Sequence, residues 1–236
     1  MDIPFFFSDL LTAQTKQLAL DETGSKHAVQ VLRMKEGEQV QLANGKGIIA
    51  QAIIAVAHKK KAELEITSVR VEAPLLVKNS IAISLVKNAA RFEWFLEKAT
   101  EIGISEIIPL ICHRTERQLF KEERLKQILI SAMLQSKQSW MPALRQPVKF
   151  ADHIAAMQNF SGQKFIAHCE ETSKQELTTQ LDSTSNHSIL IGPEGDFTND
   201  EINLAISCGF LPAALGNTRL RTETAGMVAA TLMKII

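Results

Sequence analysis

Near its C-terminal end the chain twice repeats one device: a short apolar run stops at a glycine turn, and a helix start follows at once. The first instance is "SILIGPEGDFTNDEI", residues 188 to 202, and the second is "LGNTRLRTETA", residues 215 to 225, which leads into an apolar stretch ending at Ile236. A short strand that is apolar throughout, without polar alternation, is covered on both faces, and strands that alternate with helices build a largely parallel sheet. Ligands of such sheets lie beyond the carboxyl ends of the strands. Both turns therefore fall where a ligand would sit, and the chain is confined to an α/β architecture with a largely parallel sheet.

The upstream sequence keeps that alternation. Ile81 to Val86 reads as a strand, and Phe92, Phe95, Leu96 and Ala99 then fall at i, i+3, i+4 and i+7, the stripe of a core-facing helix that Gly103 ends. A strand follows at Ile107 to Ile111, then a long helix at about Lys121 to Gln138 and a short one at Ala151 to Met157. Strands at Lys164 to Ala167 and Ser188 to Ile191, a helix, a short strand at Ala213 to Leu215 and a terminal helix complete the pattern.

The first part of the chain is different in kind. Phe5 to Phe7, Val40 to Ala43, Gly47 to Ala57 and Ala62 to Ile66 read as strands, with one short helix at about His27 to Leu32. Asn44-Gly45 predicts a tight primed hairpin turn, because both residues tolerate positive φ. The pattern changes between Glu72 and Asn79, where Pro74 breaks regularity. The expected division is residues 1–72, a small β-barrel, and residues 73–236, an α/β domain.

Composition narrows the function. The chain carries 26 basic and 26 acidic side chains, so any nucleic-acid contact must come from a local patch. Its densest basic run, His58-Lys59-Lys60-Lys61, reads better as a solvated turn between strands than as a phosphate contact. No leader pattern and no long uncharged apolar run is present, so a soluble, cytoplasmic protein without a membrane partner is expected. Cys112, Cys169 and Cys208 are far apart and outside ligand spacing, which predicts reduced, mostly buried thiols and no metal. A catalytic cysteine with His113 or His168 is the minor alternative. No Walker loop and no G-x-G-x-x-G after a strand occurs, which sets aside nucleoside triphosphates and the usual dinucleotides.

Each turn has a plain structural explanation. Thr198 and Glu201 form a capping box, and the glycines at 192 and 195 fit a well-built turn as readily as a backbone laid against a ligand. In the second turn, Thr222 as cap and Glu223 beside the positive helix end account for themselves. Arg219 and Arg221 do not, because a cation is disfavoured at that end unless an anion or a carbonyl receives it. Two such turns at neighbouring strand ends point to one pocket for a ligand with polar and apolar parts.

Those two motifs, together with "KNAARFEWFLEKATEIGISEIIPL" and "HAVQVLRMKEGEQVQLANGKG", closely resemble the ribosomal RNA small subunit methyltransferase E family of the SPOUT class, in the right order and over nearly the whole chain. The resemblance implies a PUA-like RNA-binding β-barrel over 1–72. It implies a SPOUT domain over 73–236, with a C-terminal trefoil knot that holds S-adenosylmethionine. It also implies a homodimer acting on N3 of a uridine in 16S rRNA of the small ribosomal subunit.

Carried over by motif, the cofactor residues are Ile191, Gly192, Glu194, Gly195, Leu215, Gly216, Leu220, Arg221 and Thr224. Arg221 and Glu223 are the catalytic candidates, Arg221 stabilising charge on the ring oxygens and Glu223 acting either as base or as a salt-bridge partner that orients Arg221. Lys87, Arg91 and Arg114 are candidates for RNA phosphate contacts, each of which a surface ion pair would equally explain. The chain departs from the family at His113, where members often have an acid, at Leu134 to Gln138, and at Asn217, where a proline is common. A SPOUT enzyme with a different target position, or a non-catalytic RNA-binding assembly factor, are the alternatives.

Overall fold

The computed structural model describes residues 3–116, 119–170 and 174–235. The chain divides into two compact units, Met1–Pro74 with Ile130–Met141, and Leu75–Leu129 with Pro142–Ile236.

The first unit contains β1 (Phe5–Phe7), β2 (Gln17–Ala19), α1 (Glu22–Lys26), β3 (Gln39–Ala43), β4 (Ile48–Val56) and β5 (Glu63–Val71). Its strands form one sheet in the order β1-β3-β4-β5-β2, with β1 parallel to β3 and the other pairs antiparallel. Two register shifts between β4 and β5, one leaving Thr67 of β5 and one leaving Ala55 of β4 unpaired, curl the sheet, as extra residues do when they bend a strand. Phe6, Leu18, Val40, Leu42, Ile54 and Leu64 pack inside it. The exposed run His58 to Lys61 is the turn between β4 and β5.

Three expectations for this unit change. The helix begins earlier than periodicity placed it, because Asp21 accepts from Gly24 N and starts α1; His27–Val31 follows as one π-helical turn. The loop from β3 to β4 is wider than a two-residue turn. Asn44 Oδ1 accepts from the amides of Lys46 and Ile48, and Gly45 and Gly47 both take positive φ. Residues 130–141, expected in the second domain, belong to this unit. Gly47 N donates to Ser139 O, Met141 N donates to Gly45 O, and the Trp140 ring lies where a Cβ on Gly47 would be. The physical reason is that this loop's backbone groups find their partners in a segment remote in sequence.

The second unit is the α/β layer. Its elements are β6 (Asn79–Ser84), α2 (Ala89–Ile102), β7 (Glu106–Ile111), the first part of α3 (Glu122–Gln135, whose residues from Ile130 on count with the first unit), β8 (Ala143–Leu144), β9 (Val148–Lys149), α4 (Phe150–Ala156), β10 (Gln163–Ala167), β11 (Gln175–Glu176), α5 (Leu177–Gln180), β12 (His187–Ile191), α6 (Asn199–Ser207), β13 (Leu211–Ala214) and α7 (Thr222–Ile235). The sheet runs β11-β13-β10-β12-β6-β7-β8, with β9 also on β7, and every described pair is parallel.

Local signals hold here. Phe92, Phe95, Leu96 and Ala99 of α2 are buried, and Gly103 ends that helix with φ 90°. The Thr198–Glu201 capping box starts α6, and Glu201 Oε1 also accepts from His113 N. No described helix is long and apolar enough to cross a membrane.

The sheet order, which local pattern does not give, is what positions the site. β12 inserts between β10 and β6, so the carboxyl ends of β13, β10 and β12 lie side by side.

Candidate active site

A pocket of about 670 Å³ opens at those three carboxyl ends, within the usual range for small-molecule sites. The turn after β12 contributes Gly192, Pro193, Glu194 and Asp196, and the turn after β13 contributes Leu215 to Thr222. Ala167, His168 and Cys169, which follow β10, form a third wall.

Of the residues expected to hold a cofactor, the pocket brings together Gly192, Glu194, Leu215, Gly216, Leu220 and Arg221. Ile191 is a buried strand residue behind it, and Gly195 and Thr224 also lie outside its lining. The sequence offers His168 and Cys169 only as members of a minor cysteine–histidine alternative and Lys174 not at all, although all three follow the carboxyl end of a legible strand, where ligands lie.

The two glycine turns work differently. Gly216 adopts φ +98° with open space where a Cβ would stand, so backbone conformation alone requires glycine there. In the first turn the residue at positive φ is Asp196, held because its carboxylate accepts from Phe197 N and Cys169 N. A Cβ on Gly192 would meet the Phe197 ring at 3.1 Å, and one on Gly195 would meet the Arg114 side chain at 3.3 Å. These two glycines make room for the protein's own side chains.

The second turn is tied to the first through Thr222. Its hydroxyl donates to Gly192 O at 2.9 Å, so Thr222 joins the turns and does not serve as the N-cap that its position suggested. Arg219 and Arg221 line the pocket, and among the described residues neither has a carboxylate partner. The anomaly in the sequence, two cations at a helix start, therefore persists in the fold as two guanidinium groups at a cavity with no ion-pair partner among the described residues.

Glu223 lies in the first turn of α7 with 7% of its surface exposed. Oε1 is 3.6 Å from Arg91 Nε, and Oε2 has no partner. The salt bridge expected to orient Arg221 is thus made by Arg91 instead. The cause is register along α7: Glu223 is turned inward while Arg221 is exposed toward the pocket.

The other basic candidates are also engaged. Arg114 donates to the carbonyls of Gly195 and Phe197, and Lys87 pairs with Glu116 while its amide donates to Glu194. Glu116 raises the Lys87 pKa chiefly through that hydrogen bond.

Among the described residues His168 pairs with no thiol. Burial pushes the Cys112 thiol up to about 12, and both His168 ring nitrogens lack partners, so no described cysteine is activated by that histidine. Cys112 is buried, Cys169 exposed and Cys208 intermediate, so the expectation of mostly buried thiols holds for Cys112 alone. Among the described residues no group of His, Cys, Asp and Glu could hold a metal ion.

The pocket's chemistry suits a ligand with apolar and ionic parts: Ala213, Leu215 and Leu220 offer apolar contact and the two arginines offer anion binding.

Comparison with known proteins gives the family and the fold. Residues 72–234 match an RNA methyltransferase domain family, and residues 20–67 match an RNA methyltransferase PUA domain. The sequence is 33% identical over 219 residues to the ribosomal RNA small subunit methyltransferase E of Synechocystis sp., covering 88% of this chain and 69% of that protein. A probable rRNA-methyltransferase from Porphyromonas gingivalis superposes with a TM-score of 0.90 at 32% identity, over 99% of each chain. A methyltransferase from Legionella pneumophila in complex with the cofactor SAM superposes with a TM-score of 0.87 at 30% identity, over 100% of this chain and 98% of that one.

Proposed function

The chain belongs to the ribosomal RNA small subunit methyltransferase E family, and from that premise we propose that it uses S-adenosylmethionine to methylate N3 of a specific uridine in 16S rRNA. The observation that carries this reading is the convergence, on one pocket at adjacent parallel strand ends, of two glycine turns and two arginines that have no ion pair among the described residues. The residues present fit the cofactor. A backbone-lined cleft with apolar side chains suits the adenosyl group, and a free guanidinium suits the carboxylate of its amino-acid end.

S-adenosylmethionine supplies a methyl group on a positively charged sulfur, already electrophilic, so the protein's task is alignment and proton handling. N3 of uridine loses its proton and attacks the methyl carbon, the carbon–sulfur bond breaks, and S-adenosylhomocysteine leaves. Negative charge passes through the ring oxygens on the way. Arg221, exposed at the pocket and unpaired, is the group that stabilises it.

For the proton, Glu223 is the candidate base: its Oε2 has no partner among the described residues, while Arg91 beside Oε1 fixes the carboxylate. Arg91 is then a positioning residue before it is an RNA contact. Lys87 and the β-barrel unit are assigned to the RNA. A C-terminal trefoil knot formed by the two turns, a homodimer and a cytoplasmic site of action complete the proposal.

The balanced charge of the chain favours a structured ribonucleoprotein surface over naked RNA as substrate. Transfer of labelled methyl to purified unmethylated small subunits, followed by identification of the modified nucleoside, tests the reading. Label in 3-methyluridine is expected; label in a ribose-methylated nucleoside, or none, rejects it.

A further inference from the structure

We infer that His168 is a positioning residue for the methyl donor, its neutral imidazole offering a hydrogen bond to bound S-adenosylmethionine through one ring nitrogen. The inference rests on the cofactor reading above and deepens it. His168 follows β10 directly and stands in the pocket wall with 8% of its surface exposed. Among the described residues neither Nδ1 nor Nε2 has a partner, and both atoms are buried.

A neutral imidazole carries one N–H donor and one lone pair. An unsatisfied buried polar atom is unfavourable, and a phenylalanine or leucine would fill the same wall without it. The ring therefore holds unused hydrogen-bonding capacity in the wall of a cavity in which a small molecule is expected.

The surroundings keep the ring neutral. Burial lowers its pKa most, and Lys174, whose Nζ sits 2.8 Å from the His168 carbonyl oxygen, lowers it further; Asp196 and Glu170 act the other way. Arg219 and Arg221 add positive charge to the same pocket and Glu194 adds negative. S-adenosylmethionine itself bears a sulfonium cation, so an imidazolium there would be repelled as well as desolvated. Protonation of His168 and occupancy by the methyl donor are thus opposed.

Calorimetric titration of the full-length protein with S-adenosylmethionine at about pH 8 and about pH 6 tests this, applied to wild type, His168→Phe and His168→Asn. The expected results are a severalfold weaker wild-type affinity at the lower pH and roughly tenfold weaker binding by the Phe variant at the higher pH. The Asn variant, which keeps a donor and an acceptor, recovers most of that affinity, and neither variant retains the wild-type pH dependence. Phe binding equal to wild type, or the same pH dependence in all three proteins, overturns the proposal.

If the Phe variant does not fold, nitrogen NMR of the wild-type imidazole decides. Addition of S-adenosylmethionine shifts the His168 ring resonances, and unchanged resonances in a protein that binds the cofactor overturn the assignment. A wild type that binds no S-adenosylmethionine at all rejects the parent reading as well, which separates the two failures.

Discussion

The Thr222 hydroxyl, at the first residue of α7, donates to the carbonyl oxygen of Gly192, at the end of β12, and so joins two turns that are far apart in sequence. Because Thr222 is 4% exposed, water does not replace that bond when it is lost. Thr222→Val keeps the shape and removes the donor. We expect stability to fall by about 1–3 kcal/mol, the usual cost of a buried acceptor left unpaired. The spacing between the turns then loosens and S-adenosylmethionine affinity drops severalfold, while Thr222→Ser restores both. Urea unfolding and calorimetry read the two effects; unaltered affinity in the Val variant would mean that the turns keep their spacing without this link.

Arg221 and Glu223 sit two residues apart yet face different surroundings, one exposed at the pocket and one buried beside Arg91. Their substitutions should therefore fail differently. Arg221→Ala is expected to lower the single-turnover rate at saturating cofactor by about 10²-fold, as removal of a charge-stabilising donor does. Glu223→Gln is expected to lower the rate while methyl transfer recovers as pH rises and uridine N3 ionises unaided. A rate within tenfold of wild type for Arg221→Ala, at unchanged cofactor affinity, contradicts the charge-stabilising role. Full activity of Glu223→Gln at every pH removes it as the base.

The features legible in the sequence were those fixed by residues close along the chain. Thr198 and Glu201 make their capping box within one helical turn, and Phe92, Phe95, Leu96 and Ala99 share one face of α2 whatever packs against them. The site depended on contacts of another kind. Gly192 and Gly195 look like ligand-loop glycines, but Phe197 and the distant Arg114 decide what occupies the space beside them. Glu223 could be assigned to Arg221 by proximity in sequence, whereas the fold gives it Arg91, more than a hundred residues away. His168 was within reach of the rule that ligands lie beyond strand ends, since β10 itself was readable. Its importance became visible only once both ring nitrogens proved to lack partners.

Gly226 lies where α7 packs closely on Ile83 of the sheet and Phe95 of α2. A Cβ there would lie 2.7 Å from the Phe95 ring and 2.9 Å from Ile83 Cδ1, and both of those side chains are fully buried. Glycine lowers helix propensity by up to about 1 kcal/mol relative to alanine, so an exposed site would gain from Gly226→Ala. At this position overpacking wins, costing about 1–3 kcal/mol. We expect a lower urea midpoint with an unchanged slope, and weakened cofactor binding because α7 carries Thr222 and Glu223 at its start. A more stable Gly226→Ala protein would show that α7 can withdraw from α2 without loss.

His153, on α4, gives the fold an acid-sensitive point that is separate from the pocket. It is 6% exposed, its Nε2 has no partner, and burial lowers its pKa from the ordinary 6.5, with Glu106 only partly opposing. The unfolded chain therefore binds a proton on this residue more readily than the folded one. Its contribution to stability is complete above pH ~6.5, falls as the pH drops below that value, and levels off once the pH is below the lower folded pKa. In His153→Leu that titration is absent and an unsatisfied buried nitrogen is removed as well. Urea unfolding at about pH 7.5 and about pH 5.5 should thus show a larger loss for wild type than for the Leu variant, with the variant at least as stable at the lower pH. Equal losses in the two proteins would assign the acid sensitivity to other groups, His187 first among them, since burial lowers its pKa too.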